Sequence, residues 1–270
     1  PGWRPTTSIS RRGRSICCQR SGACFAPAIM STPSALASEI RPYNGEVIRI
    51  VEAQHLISTN RLATNAADQA LLEALAEDVK PALPETARHL PWLLASPFRY
   101  GLGRPSRFRA PDVLPGIFYA SEEIETAVAE TAYWRLMAFS RSPGFQLPNT
   151  PTPMSAFSVT VNAKAALDLT SGELGRDHDR WAHPTDYSAT QQIAATARLA
   201  GVEVIRAPSA RRFGGINLAV LQPSVLVPFY TPHSSWAFLV TNEGLLATRE
   251  MSAAALRFTW TEFALSTLGR

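Results

Sequence analysis

The chain has 270 residues, 46% of them hydrophobic, and a net charge of +4; it can bury a substantial core and has room for one large domain or two small ones. The charge is uneven. Residues 1–38 hold five arginines (Arg4, Arg11, Arg12, Arg14 and Arg20) and no acid, which leaves residues 39–270 with 21 basic against 22 acidic groups, and so near-neutral a body excludes a nucleic-acid footprint spread over the fold. No apolar run approaches the roughly 18 residues of a membrane span.

In chain order, residues 1–39 are rich in Ser, Arg, Pro and Gly with no sustained period, and are expected to be disordered. All three cysteines (Cys17, Cys18 and Cys24) lie there, at spacings that match neither a disulfide framework nor a zinc site, as expected in a reducing cytoplasm. The composition is that of a transit peptide without its amphipathic repeat; the plainer reading is upstream translated sequence, with Met30 as the native start.

Glu46–Glu52 alternates as a strand, with Val47, Arg49 and Val51 on one face and Ile48 and Ile50 on the other. Arg49 reads either as the outward arginine of an edge strand or as a cation turned into a cleft toward an anion. Asn65 caps a helix that runs to Val79, with Leu71, Leu72, Leu75 and Val79 as its apolar stripe and Pro81 as its stop. Gly101-Leu102-Gly103 lacks the third glycine and the following helix of a dinucleotide loop, so that reading is rejected. Arg99, Arg104, Arg107 and Arg109 crowd this loop, either to clamp a pyrophosphate bidentately or as a solvated set.

Gly116–Ala120 reads as a short strand, after which Ser121 starts a helix. Helical spacing gives that helix the apolar stripe Ile124, Ala127, Val128, Thr131 and Trp134, with Glu130 at its edge. Taken alone, Glu130 is as readily a solvated surface carboxylate. Arg141–Pro153 is a Pro-rich loop of the kind that covers a site, and two strands follow, Met154–Val161 and Ala166–Thr170. The Arg-Asp-His-Asp run at 176–179 has no further ligand at a fixed spacing, so no metal is expected. Thr185–Gln191 opens a helix that ends at Gly201, which puts Ser188 in the first turn, either as a plain cap or where the free N–H groups favour an anion. Ser209 follows a strand at Val202–Ile205, and further strands are expected at Ile216–Leu221 and Val225–Phe229.

Four stretches together resemble the RES-domain family, named for an Arg, a Glu and a Ser. They are Leu93–Tyr100 (LLASPFRY), the run from Arg107-Phe108 through Tyr119-Ala120 to Ala127-Val128-Ala129-Glu130, Asp186-Tyr187-Ser188 with Gln191, and Pro208-Ser209-Ala210 followed by Gly215-Ile216-Asn217-Leu218-Ala219. Ile48-Arg49-Ile50 matches the context of the family's first arginine, with Ile in place of an aromatic, and Pro105-Ser106 stands where the family has two glycines. The resemblance implies an α+β fold like that of ADP-ribosyltransferase toxins, a split and mostly antiparallel sheet with flanking helices around an NAD cleft. It implies a single domain over residues 40–270, with a helical insertion near its start and a C-terminal extension. The implied function is that of the toxin of a toxin–antitoxin pair, cleaving the nicotinamide–ribose bond of NAD with water or phosphate as acceptor. The alternatives are mono-ADP-ribosylation of a host protein and a catalytically inactive interaction module.

On the same footing, Glu130 is the catalytic carboxylate, Arg49 and then Arg107 hold the pyrophosphate, and Ser188 binds a phosphate or the nicotinamide ribose. Tyr119 lines the nicotinamide pocket, with Gln191 and Ser209 as secondary contacts. NAD is the substrate, no metal is needed, and the expected partner is a helical Xre-type antitoxin over the cleft mouth in the cytoplasm, with neither a membrane nor nucleic acid bound directly.

Overall fold

A computed structural model of the chain describes residues 33–53, 65–100, 105–142, 144 and 146–265. Residues 1–32 with the three cysteines, Gly101-Leu102-Gly103 and Arg104 lie outside the described residues. The elements are α1 (Pro33–Ala37), β1 (Ile40–Glu52), α2 (Ala66–Asp78), α3 (Trp92–Arg99), β2 (Phe118–Ser121), α4 (Ile124–Ser140), β3 (Thr152–Asp168), α5 (His178–Trp181), α6 (Ser188–Leu199), β4 (Val204–Pro208), β5 (Ile216–Val220), β6 (Leu226–Val240), β7 (Gly244–Arg249) and β8 (Ala255–Thr259).

All eight strands join one sheet in the order β1-β2-β5-β4-β3-β6-β7-β8, and β1 also pairs with β3. That extra pairing closes β1-β2-β5-β4-β3 into a ring, from which β6, β7 and β8 extend as a wing. Every pairing is antiparallel except β3 with β4. The fold is thus α+β, with a sheet that splits along β3: its first part pairs with β6 and its end with β4, while its other edge follows β1 throughout. The expected strands at 154–161 and 166–170 are one continuous strand, buried on both faces over much of its length, as a central strand must be. β1 is likewise longer than its alternating core, and its register slips between Arg41 and Tyr43, where Pro42 has no N–H to give the ladder.

Three apolar clusters fill the layers. The five ring strands turn Val47, Phe118, Val159, Val204 and Leu218 toward α3, whose Leu94 and Phe98 cap them. On the opposite face Ile193 and Ala197 of α6 pack with Ile205, Ala219 and Leu36. Residues 33–39, read from composition as tail, therefore include a fully buried leucine and join the body. In the third cluster α4 packs Val128, Ala132, Tyr133 and Leu136 against Trp236, Phe238, Leu245 and Trp260, so the C-terminal segment is an integral wall rather than an appendage. Gly116 sits where a Cβ would collide with the Pro97 and Tyr100 carbonyls, and its N–H donates to the Phe98 carbonyl at 3.0 Å. This close approach ties the end of α3 to the start of β2.

Two sequence expectations are corrected. The helix at 66–78 has the cap expected, with Asn65 Oδ1 accepting the Ala67 and Asp68 N–H groups at 2.9 Å. Its stripe, however, buries nothing: Leu71, Leu75 and Val79 are 60%, 53% and 84% exposed. The helix after β2 starts at Ile124, not at Ser121, because Ser121 is the last strand residue, paired with Ile48 and with its hydroxyl engaged by Asn217. No helix among the described residues is long and apolar enough to cross a membrane.

Candidate active site

β1 and β2 are joined by a single residue pair, Ile48 with Ser121. A cleft of about 360 Å³ opens along this seam, lined among others by Arg49, Arg107, Tyr119, Glu130, Trp134, Tyr187, Arg211 and Asn217. The size falls within the roughly 300–1,000 Å³ of small-molecule sites. Arg49 and Glu130, from β1 and α4, face this one cleft.

Glu130 lies on the margin of the buried face of α4, and its Oε1 accepts two hydrogen bonds, from Ser209 Oγ at 2.7 Å and Asn217 Nδ2 at 2.6 Å. Among the described residues Oε2 takes none. The two donors are themselves fixed. Ser209 Oγ accepts the N–H groups of Arg211 and Arg212 at 3.1 and 3.2 Å, and Ser121 Oγ donates to Asn217 Oδ1 at 2.6 Å, which sets the amide with its NH₂ toward the carboxylate. One oxygen is thus clamped and the other is left for a ligand.

Arg49 donates from Nη1 to the Tyr119 carbonyl at 2.6 Å and places its guanidinium 5.1 Å from the Phe118 ring. Its Nε is buried without a partner. Among the described residues no carboxylate neutralises it, and desolvation pulls its pKa down to about 10. β1 is not an edge at this point, so the edge-strand reading of Arg49 is replaced by the inward one. Arg107 donates from Nη1 to the carbonyls of Trp181 and His183 at 3.0 and 2.9 Å and lies over the Tyr187 ring. Burial draws its pKa below the usual arginine value, against which the Glu130 charge works.

The loop that carries Arg107 needs no glycines. Ser106 and Arg109 exchange backbone hydrogen bonds, and α6 covers the loop carbonyls: Thr190 Oγ1 donates to Arg107, Gln191 Nε2 to Ser106 and Arg109, and Arg198 Nη1 to Phe108. Gln191 is therefore a support of the arginine loop, outside the cleft lining. Tyr119 lines the cleft with its ring, but its hydroxyl is turned away to share a 2.8 Å hydrogen bond with Ser106 Oγ and to accept the Phe108 N–H at 3.2 Å; burial raises its pKa.

Ser188 opens α6 as its spacing suggests, yet it is exposed and does not line the cleft. Its N–H donates to Asp186 Oδ1 at 2.9 Å, and its hydroxyl also faces that carboxylate, whose pKa these bonds hold low. The serine that touches the Glu130 carboxylate is Ser209. Arg109 is buried away from the cleft, and Arg99 pairs with Glu77 at 2.6 Å. Leu147 of the Pro-rich loop packs against the third cluster. Among the described residues no group of three or more His, Cys, Asp or Glu side chains is placed to hold a metal.

Three site residues escaped the sequence reading. Asn217 stood inside a quoted motif but carried no assigned role. Arg211 followed Ser209 by two positions, in a loop with no periodicity to orient it. Trp134, placed in the apolar stripe, is 49% exposed in the cleft, where its indole offers a platform for a flat ring.

The family model described as the RES domain matches residues 82–240, a span that holds Arg107, Tyr119, Glu130, Ser209, Arg211 and Asn217, with Arg49 before it. Among curated proteins nothing matches. Among solved structures, a chain from the crystal structure of the M. tuberculosis MbcT–MbcA toxin–antitoxin complex is similar at 14% identity and a TM-score of 0.44, with 77% of this chain and 91% of that chain covered.

Proposed function

The chain belongs to the RES-domain family, and from that premise we propose that it is the toxin of a toxin–antitoxin pair, which cleaves the nicotinamide–ribose bond of NAD. The observation that carries this reading is the charge arrangement of the cleft. Arg49, Arg107 and Arg211 line it without a carboxylate partner among the described residues, opposite a single carboxylate whose free oxygen faces the same space. Cations left unpaired at a cleft suit an anionic ligand such as a pyrophosphate.

The bond to be broken joins the ribose C1′ to a positively charged nicotinamide nitrogen. Its electron pair leaves with the nitrogen, nicotinamide departs neutral, and no general acid is required. The ribose is left with oxocarbenium character, as in glycoside cleavage. Glu130 Oε2 stabilises that charge and takes the proton of the incoming acceptor, water or phosphate, while Ser209 and Asn217 hold Oε1 still. Arg49 grips the pyrophosphate, and Trp134 stacks on one of the two ring systems. An activity that removes NAD from its own host requires restraint, and an Xre-type helical antitoxin over the cleft mouth in the cytoplasm supplies it.

The test is nicotinamide release from NAD by purified protein, with and without phosphate, beside Glu130→Gln. The expected result is release by the wild type and a loss of about 10²–10³ in the variant. Faster release with phosphate identifies a phosphorylase and indifference to it a hydrolase, whereas release only on adding a protein target makes the chain a transferase. No release under any condition refutes the enzyme.

A further inference from the structure

We infer that Arg211 and Arg107, both in contact with the Tyr187 side chain, form an anion subsite that binds a phosphoryl group of the substrate, which makes Arg211 a substrate-binding residue. The inference rests on the NAD reading for the identity of the substrate, and on its own geometry for the site.

Seven arginines among the described residues are neutralised in ion pairs. Arg206 makes a bidentate pair with Glu122 at 2.7 and 2.9 Å and reaches Asp168; Arg212 pairs with Glu123, and Arg135 with Glu52 at 2.7 Å. Arg211 is held just as firmly, but by neutral groups. Its guanidinium lies 3.3 Å from the centroid of the buried Tyr133 ring on α4. Nη2 donates to the Pro184 carbonyl at 2.7 Å and to the Tyr187 hydroxyl at 3.1 Å. Nε is buried with no partner, and Nη1 makes no hydrogen bond among the described residues.

Arg107 lies 4.7 Å from the centroid of the same Tyr187 ring and donates to the Trp181 and His183 carbonyls. Arg211 opposes the charge on Arg107, though burial and then the Glu130 carboxylate act on Arg107 more strongly. Two like charges held near one another in a partly desolvated cleft are unfavourable unless something negative joins them. Neutral clamps fix their positions without cancelling their charge, which is the preorganisation a phosphoryl ligand needs. The position of Arg211 is also coupled to the catalytic group, because its N–H binds the same Ser209 hydroxyl that donates to Glu130.

The experiment compares wild type, Arg211→Met and Arg211→Lys on NAD and on nicotinamide riboside, which has the same scissile bond and no phosphoryl group. ADP-ribose binding by calorimetry runs in parallel and needs no turnover, and thermal unfolding checks each variant's fold. The expected result for Arg211→Met is a KM for NAD and a Kd for ADP-ribose raised about 10–100-fold, with a much smaller loss in kcat/KM on nicotinamide riboside and Arg211→Lys in between. A folded Arg211→Met that binds ADP-ribose as well as the wild type overturns the inference, as does an equal loss on both substrates. Wild type that binds ADP-ribose but leaves NAD intact fails the proposed reaction, and the binding comparison still decides Arg211. Wild type that binds no ADP-ribose refutes the subsite.

Discussion

Replacing Arg49 with methionine separates a residue kept for a ligand from one kept for the fold. Burial lowers the Arg49 pKa from the ordinary arginine value to about 10, which corresponds to a penalty of roughly 3 kcal/mol on the charged form. Because the folded pKa lies below the unfolded one, the unfolded chain holds the proton more tightly. The penalty is fully present below pH 10, so stability rises as pH climbs between the two values. Arg49→Met removes it at neutral pH. Against that stand the lost hydrogen bond to the Tyr119 carbonyl, worth about 1.5 kcal/mol, and the contact with the Phe118 ring, about 0.5–1 kcal/mol. The methionine stem keeps most of the packing. The sum predicts a variant within about 1 kcal/mol of wild type, where breaking a buried ion pair costs about 3–5 kcal/mol. The ligand response is expected to differ sharply: ADP-ribose at a hundred times its Kd stabilises the wild type by about 2.7 kcal/mol and Arg49→Met by far less. Urea unfolding followed by tryptophan fluorescence, with and without ADP-ribose, measures both. A loss of 3 kcal/mol or more without ligand refutes the reasoning and makes Arg49 a structural tie across the β1–β2 seam.

Other expectations follow from the same geometry. Ser209→Ala and Asn217→Ala each remove one hydrogen bond to Glu130 Oε1, and each should lower kcat about tenfold. The double variant should fall short of the product because both act on one oxygen; full multiplicative loss would show separate roles. Gly116→Ala drives a methyl group into the Pro97 and Tyr100 carbonyls and should cost about 1–3 kcal/mol or more, seen as a lower melting temperature; an unchanged one would show that α3 yields easily. Changing Leu71 and Leu75 to Gln should move the unfolding free energy by no more than about 0.5 kcal/mol each, since both are exposed. A larger loss would mean that α2 is packed in solution.

What the sequence made legible was local. Alternation around Arg49 separated the two faces of β1 correctly, Asn65 announced its cap, and Gly201, at φ 74°, marked the end of α6. Glu130 was readable because helical spacing places a side chain on a face whatever lies beyond it. The rest depended on partners distant in sequence. Asn217 meets Glu130 only because β5 lies beside β2, and Arg211 is aimed by a Tyr133 ring on another element. The choice between Ser188 and Ser209 turned on neighbours of each. Asp186 engages the first, whereas two backbone N–H groups orient the second toward the carboxylate. The stripe on α2 misled because apolar spacing shows which face could be buried, not whether anything covers it.

The closed ring of strands also bears on when the cleft is complete in a newly made chain. Arg49 sits on a strand whose partner, β3, is translated more than a hundred residues later, and Glu130 gains its Asn217 donor later still. At about 5–20 residues per second, the ribosome needs on the order of ten seconds to deliver all the pieces of the cleft. A truncated product ending before β4 carries Arg49, Arg107 and Glu130 but none of Ser209, Arg211 and Asn217. Pairings this far apart in sequence form slowly, so a newly made copy passes through an interval in which it is inactive and its strand edges are open. A partner that recognises β1 or β3 in that interval can act before the cleft exists.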